Sequence, residues 1–135
     1  MSGKERWLVW LLRIGGVATL SAFPFALLPP DQMARGHEAL GMGPFPHGAV
    51  TDYMARSLAL LYGYHGVLTL IVSTDVRRYR RLVGFLGWML LTFGPAMLLV
   101  DLYAGMPWFW ILVEGPPLTL FGVAYLWLRR SVPLS

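Results

Sequence analysis

The sequence lacks cysteine and has few charged residues. Its 135 residues include no Cys, and Asp, Glu, Lys and Arg together make up 13% of them. Without cysteine the chain cannot form a disulfide scaffold or a zinc-thiolate site. A soluble domain carries about 25% charged residues, and a disordered chain needs low hydrophobicity with high net charge. The composition therefore excludes an ordinary soluble globule and a disordered chain.

Apolar residues form 56% of the chain and collect in four long runs. Each run approaches the roughly 20 residues that a helix needs to cross the hydrocarbon core of a bilayer. Arg13 interrupts the first run and Glu114 interrupts the fourth. We predict an all-α integral membrane four-helix bundle, folded as a single domain over residues 1–135, with spans at about 7–28, 54–74, 82–104 and 107–128.

The first apolar run has features of a signal peptide, because Lys4 and Arg6 precede it. Arg13 breaks the run, however, and no clear small-residue cleavage site follows it. We therefore expect the run to remain as the first span and to act as a signal anchor.

The positions of Lys and Arg predict how the bundle is oriented. Lys4 and Arg6 precede the first span, four arginines separate the second and third spans, and Arg129 and Arg130 follow the fourth. We predict a multi-pass protein of the bacterial inner (cytoplasmic) membrane with both termini in the cytoplasm. Because the basic residues lie at the ends of apolar runs, and not on one water-facing surface, we expect no nucleic-acid partner.

The long connection between the first two spans is predicted to be partly helical. Residues 30–40 begin with proline and end before Gly41, which is typical of a helix start and stop. We expect a short helix in the outer membrane interface. His37, Glu38 and His47 match no known spacing of metal ligands, so we predict no metal site.

Four charged residues are expected to meet in the outer leaflet. Arg56 shares a helix face with small residues of the second span, and Asp101 follows two glycines of the third span at seven-residue intervals. Small residues let membrane helices approach closely, so both faces are expected to point inward. A charge among lipid tails costs about 2.5–3.5 kcal/mol and usually pairs with another. We predict a cluster in which Arg56 bridges Asp101, Glu114 and Asp52.

This predicted cluster has two interpretations. It is either a polar lock that fixes helix packing, or the polar floor of an outward-facing cavity. In the second case Glu114 or Asp101 would hold a ligand or exchange a proton.

Two further groups of residues are candidate binding sites. His65, near the middle of the second span, is expected to hydrogen-bond a neighbouring helix, and its alternative role is an axial ligand to haem or a chlorophyll-like pigment. The rest of the sequence requires no cofactor. A basic cluster between the second and third spans first determines topology, and it also attracts anionic lipid headgroups at about 1 kcal/mol per residue. Its members are Arg77, Arg78, Arg80 and Arg81.

Several short motifs resemble an uncharacterised family of small bacterial four-span membrane proteins. They are His37-Glu38-x-Leu40-Gly41-x-Gly43, Tyr53-x-Ala55-Arg56-Ser57, Asp75-Val76-Arg77-Arg78-Tyr79, Gly105-Met106-Pro107 and Glu114-Gly115-Pro116. The four-helix layout, with Tyr53-x-x-Arg56 entering the second span, is also similar to DoxX-like proteins, some of which are associated with quinone-linked oxidoreductases. The resemblance implies the fold and leaves the activity open.

The sequence contains no catalytic motif, neither Gly-x-Ser-x-Gly nor a phosphate-binding glycine loop. We therefore predict no catalytic residues and expect a non-catalytic accessory or structural subunit of a larger bacterial membrane complex. Its expected partners are the lipid bilayer and other membrane subunits or a second copy. One alternative is a binder, carrier or enzyme for a quinone-like or isoprenoid-like molecule at the Arg56 cluster. Another is proton-coupled transport by an oligomer.

Overall fold

A computed structural model of the chain describes residues 2–133, which form helices joined by turns, with no strand among them. Met1, Leu134 and Ser135, at the ends of the predicted domain, lie outside the described residues. The elements in chain order are α1 (Gly3–Leu20), the 3-10 helix η1 (Phe23–Leu27), α2 (Pro30–Ala39), α3 (Ala49–Thr74), α4 (Arg80–Ala104), α5 (Trp108–Val113) and α6 (Gly115–Arg129).

Four helical segments are long and apolar enough to cross a membrane, which confirms the predicted all-α, four-span architecture. These segments are Gly3–Leu27, Ala49–Thr74, Arg80–Ala104 and Trp108–Arg129. Large apolar side chains remain exposed along them, as expected of surfaces that contact lipid; Trp7 is 67% exposed and Leu120 is 69% exposed. The chain is a multi-pass membrane protein. The predicted helix in the long connection is also present, as α2.

The first span starts earlier than predicted because its first turn is capped. The amide of Ser2 donates to Glu5 Oε2 at 2.7 Å, and the amide of Glu5 donates to Ser2 Oγ at 3.2 Å. This reciprocal pair is a capping box, which satisfies two backbone donors at a helix start. At its other end the span tightens into η1, where Pro24 occupies the first turn. The capping box therefore accounts for the helical residues before the predicted start at Trp7.

The fourth span is two helices and not the continuous one expected from its apolar run. Glu114 separates α5 from α6, with φ −99° and ψ −77°. Pro116 and Pro117 follow, and neither has an N–H to donate to the preceding turn. The polar side chain of the fourth span therefore lies at a break in the helix.

The helices form two compact units. The middle unit is Ile14–Leu70, and the terminal unit comprises the residues up to Arg13 and those from Ile71 onward. The prediction of one domain over the whole chain stays a prediction.

In the middle unit, α1 and α3 touch through their backbones. A Cβ on Gly66 would lie 2.5 Å from the Leu20 nitrogen and 2.7 Å from the Gly16 oxygen, so only glycine fits there without a shift. The ring of Phe23 lies over Gly63. Together with the burial of Ala59, these contacts confirm that the small-residue face of α3 points inward.

In the terminal unit, α4 and α6 pack antiparallel through glycines of both helices. A Cβ on Gly122 would lie 2.5 Å from the Leu91 nitrogen and 2.8 Å from the Gly87 oxygen, and one on Gly115 would lie 2.8 Å from the Gly94 oxygen. Around this pair lies an apolar core of Leu8, Leu12, Val72, Val76, Val83, Leu86, Leu90, Tyr125, Leu128 and Val132. Close backbone approach, which Cβ atoms would prevent, therefore holds α4 against α6.

Candidate functional site

Arg56 is bonded to three groups of the middle unit. Its Nε donates to Asp52 Oδ2 at 2.9 Å, one helical turn earlier on α3. Its two terminal nitrogens donate to the carbonyls of Ala26, at 2.7 Å, and Leu28, at 3.0 Å. These carbonyls lie at the end of η1, where a helix leaves acceptors without partners in its own turn. The planar guanidinium thus ties the end of the first span to α3.

Asp101 and Glu114 form the other part of the predicted cluster, in the terminal unit. Asp101, near the end of α4, is 3% exposed. Among residues 2–133, no donor lies within hydrogen-bond distance of its Oδ2. Glu114 Oε2 accepts a hydrogen bond from Trp110 Nε1 at 2.6 Å.

The structure divides the four predicted residues between its two units, two in each. Asp52 with Arg56 belongs to the middle unit, and Asp101 with Glu114 belongs to the terminal unit. The grouping of all four into one cluster stays a prediction. The two pairs differ in chemistry. Asp52 and Arg56 form an ion pair that is also bonded to backbone carbonyls, whereas Asp101 and Glu114 are two acidic groups.

His65 is half-buried on α3, and Thr69 lies beside it one turn later on the same helix. The expected hydrogen bond from His65 to a neighbouring helix stays a prediction. The Thr69 hydroxyl is 3.4 Å from His65 Nε2 and donates to the His65 carbonyl at 2.9 Å. Its assignment as a ligand to haem or a pigment stays a prediction. Nowhere in the described part of the chain do three or more His, Asp or Glu side chains lie together so that they could hold a metal ion.

The four arginines of the predicted headgroup cluster have different surroundings. Arg77 donates from Nε to Glu5 Oε1 at 2.9 Å and from Nη2 to Glu5 Oε2 at 3.1 Å. Arg78 lies beside the ring of Tyr79. The Nε of Arg80 is buried and has no hydrogen-bond partner among the described residues, and Arg81 is exposed. Lipid binding by all four stays a prediction.

The Glu5–Arg77 pair was missed by reasoning from the sequence. Glu5 is 1% exposed, whereas the Arg77 side chain is 50% exposed. The two hydrogen bonds from Arg77 to the Glu5 carboxylate raise the pKa of Arg77 above its ordinary value. The pattern Ser2-x-x-Glu5 is a recognisable capping signal, but it does not identify Arg77 as a partner.

Comparison with known proteins finds no match for the chain among family models, curated proteins or solved structures. The resemblance to small four-span proteins and to DoxX-like proteins therefore stays a hypothesis based on the short motifs that suggested it.

Proposed function

We propose that this chain is a non-catalytic accessory or structural subunit of a larger bacterial membrane complex. The observation that carries the proposal is that three charged side chains on its spans, Glu5, Arg56 and Glu114, are bonded to groups of the chain itself. Arg56 binds Asp52 and two carbonyls, Glu5 binds Arg77, and Glu114 accepts from the Trp110 indole. Polar groups used in this way hold helices in position, which is the requirement for a scaffold.

We place the complex in the bacterial inner membrane, with both termini of this chain in the cytoplasm. The support is the excess of Lys and Arg before the first span, between the second and third, and after the fourth. Basic residues near the ends of spans are retained on the cytoplasmic side. The exposed apolar faces of both units suit contact with lipid and with the spans of other subunits.

Purification at native expression tests this proposal. The chain, tagged at its own locus and cross-linked in intact membranes, is expected to be recovered with larger membrane proteins in a constant ratio. A tagged, unrelated four-span protein from the same membranes is the control for detergent carry-over. Recovery of the chain alone, without cross-linked partners, would contradict the role of a subunit.

A second candidate function, binding of a lipid-soluble small molecule, is favoured by the surroundings of Asp101. A carboxyl group that is 3% exposed and has an oxygen without a donor is costly to bury unless it is protonated or receives a hydrogen bond. The hydroxyl of a reduced quinone is a donor of suitable chemistry. A proton shared between Asp101 and Glu114 would equally suit proton-coupled transport by an oligomer.

Asp101→Asn tests this second candidate. We expect this substitution to weaken binding of a water-soluble, short-tailed quinol by about tenfold. The reason is that the hydrogen bond from the quinol hydroxyl to a charged acceptor is replaced by one to an amide. Binding is measured by quenching of tryptophan fluorescence in detergent. The matched control is Asp31→Asn, which removes an exposed carboxylate that pairs with Arg35. Equal quinol binding by Asp101→Asn and the wild type would contradict a role for this carboxylate.

A further inference from the structure

A groove of about 530 Å³ lies along α4 and α6 in the terminal unit. Arg80, Arg129 and Arg130 line one end of it, where α4 begins and α6 ends. Its remaining walls are apolar side chains of both helices, namely Trp88, Leu91, Val123, Leu126 and Trp127. The groove therefore has a cationic end, and the rest of its length is apolar.

At this end Arg130 is exposed, and Arg80 and Arg129 are partly exposed. The buried Nε of Arg80 has no hydrogen-bond partner among the described residues. The guanidinium of Arg129 lies against Gly84, in space that a Cβ would occupy. No carboxylate is among the described residues that line the groove. An anionic group at this position would meet three guanidinium groups and no like charge.

Another depression in the terminal unit does not separate positive charge from apolar surface in this way. It measures about 460 Å³ and is lined by Arg6, Arg13, Arg77 and the carboxylate of Asp75, among others. Arg77 is already bonded to Glu5 through two nitrogens. The local charge there is partly neutralised, so the groove between α4 and α6 has more uncompensated positive charge.

The length of the groove determines what kind of anion fits. Eleven residues separate Arg80 from Leu91 on α4, which corresponds to about 16 Å at 1.5 Å per residue. A small free anion would fill only the cationic end. A molecule that fills both parts has an anionic head and a long apolar tail.

We propose that this groove binds an anionic phospholipid, with its phosphate at Arg80, Arg129 and Arg130 and one acyl chain along Trp88, Leu91 and Val123. Arginine holds phosphate through two parallel hydrogen bonds, and basic pockets between membrane helices suit anionic headgroups. The site differs from a diffuse patch on the loop between α3 and α4, because two of its three arginines, Arg129 and Arg130, lie at the end of α6 and directly after it. It is a property of the single chain and does not depend on partner subunits.

Native mass spectrometry of the purified chain tests this assignment. Phosphatidylglycerol and phosphatidylcholine with identical acyl chains are titrated separately into the protein in a neutral detergent. We expect one phosphatidylglycerol to be retained per chain at concentrations where phosphatidylcholine is not. Equal retention of the two lipids would overturn the proposal.

Variants separate this site from general surface charge. Arg129→Ala and Arg130→Ala are each expected to weaken retention of phosphatidylglycerol by about fivefold. The matched control is Arg35→Ala, which removes the same charge from an exposed residue of α2 outside the groove and is expected to change retention by less than about twofold. An equal loss in Arg35→Ala and Arg129→Ala would overturn the site in favour of diffuse attraction.

Gly84→Ala tests the geometry without changing the charge. Its new methyl group would overlap the end of Arg129, a flexible side chain that can move away, so the helices stay packed while the guanidinium is displaced. We expect weaker phosphatidylglycerol retention with unchanged helix content, and wild-type retention would contradict the proposed position of the phosphate. Glycerol phosphate, which has the head without the tails, is expected not to compete at equal concentration. If glycerol phosphate competes as strongly as the lipid does, the groove is a site for free anions instead.

Discussion

The two compact units hold their helices together differently. In the middle unit, α1 and α3 touch where Gly16 faces Gly66, and Arg56 then ties the end of the first span to α3 through two carbonyls. In the terminal unit, glycines recur at seven-residue intervals on both helices, at Gly87 and Gly94 of α4 and at Gly115 and Gly122 of α6. The middle unit combines a short contact between backbones with a polar tie at Arg56, whereas the terminal unit extends the contact over one heptad of each helix.

The comparison shows two ways to build helix contact where the hydrophobic effect is weak. Lipid tails are as apolar as leucine, so helices gain little by burying apolar side chains against each other and depend on packing and hydrogen bonds. Repeated glycines maximise packing along a helix pair. A guanidinium instead fixes one point and orders a segment, η1, that has few hydrogen bonds of its own.

The largest effect is expected from Gly122→Ala, which breaks the packing of α4 on α6. Its Cβ would lie 2.5 Å from the backbone nitrogen of Leu91, and backbone cannot move aside as a side chain can. We expect a loss of about 1–3 kcal/mol in the free energy of unfolding, as for other overpacked sites. Unfolding in mixed micelles of sodium dodecyl sulfate, followed by far-UV circular dichroism, measures the change.

Gly36→Ala is the control for the Gly122 variant. Gly36 lies within α2, and a Cβ there would have no neighbour within 4 Å. Because alanine favours helix over glycine by about 1 kcal/mol, this variant should not lose stability. Equal destabilisation by the two substitutions would mean that replacing a helical glycine destabilises the protein whether or not that glycine lies at a helix contact.

A smaller effect is expected from Arg77→Ala, which removes the partner of the buried Glu5 carboxylate. Removing one member of such a pair leaves the other charge without compensation. Because Arg77 is half exposed, water replaces part of the lost interaction, and we expect the thermal midpoint to fall by on the order of 5 °C. Arg78→Ala, which removes a neighbouring exposed charge, should leave the midpoint unchanged, and an equal fall in both variants would contradict the pair.

The pH dependence of this pair follows from the raised pKa of Arg77. A cation whose pKa is raised on folding contributes its full stability below its ordinary pKa and loses it only as the pH rises through the raised value. The wild type should therefore keep the contribution of Arg77 up to at least about pH 10. Thermal unfolding between neutral pH and about pH 10 checks this. A fall of the thermal midpoint at alkaline pH that occurs in the wild type but not in Arg77→Ala would contradict it.

The smallest effect is expected from Arg56→Lys, which keeps the charge in the middle unit but removes the planar fork. An ammonium is a point charge and cannot reach Asp52 and both carbonyls as the guanidinium does. We expect amide exchange of the η1 segment to rise by about tenfold, with global stability little changed. Arg35→Lys is the matched control, since the Arg35–Asp31 pair is exposed at both ends. Unchanged exchange in Arg56→Lys would show that the fork does not order η1.

The predictions from the sequence were most accurate where a property depends on the local chain. The four spans, the helix in the long connection and the inward face of α3 all follow from runs and spacings of apolar and small residues. The break at Glu114 was missed although Pro116 and Pro117 indicate it, because the apolar run continues through them. The partners of Arg77 and Arg129 were missed because Glu5 and Gly84 lie far from them in the sequence.

Which segments enter the membrane was decided by the sequence itself, because the transfer of a helix into lipid depends mainly on the sum of its own residues. The tertiary structure alone decided what each charged side chain meets. Arg56 is bonded to two carbonyls and Arg77 to a buried carboxylate, and Arg129 packs against a glycine. Such contacts require atoms within about 3 Å of each other, and only the close approach of folded backbones brings distant residues that near.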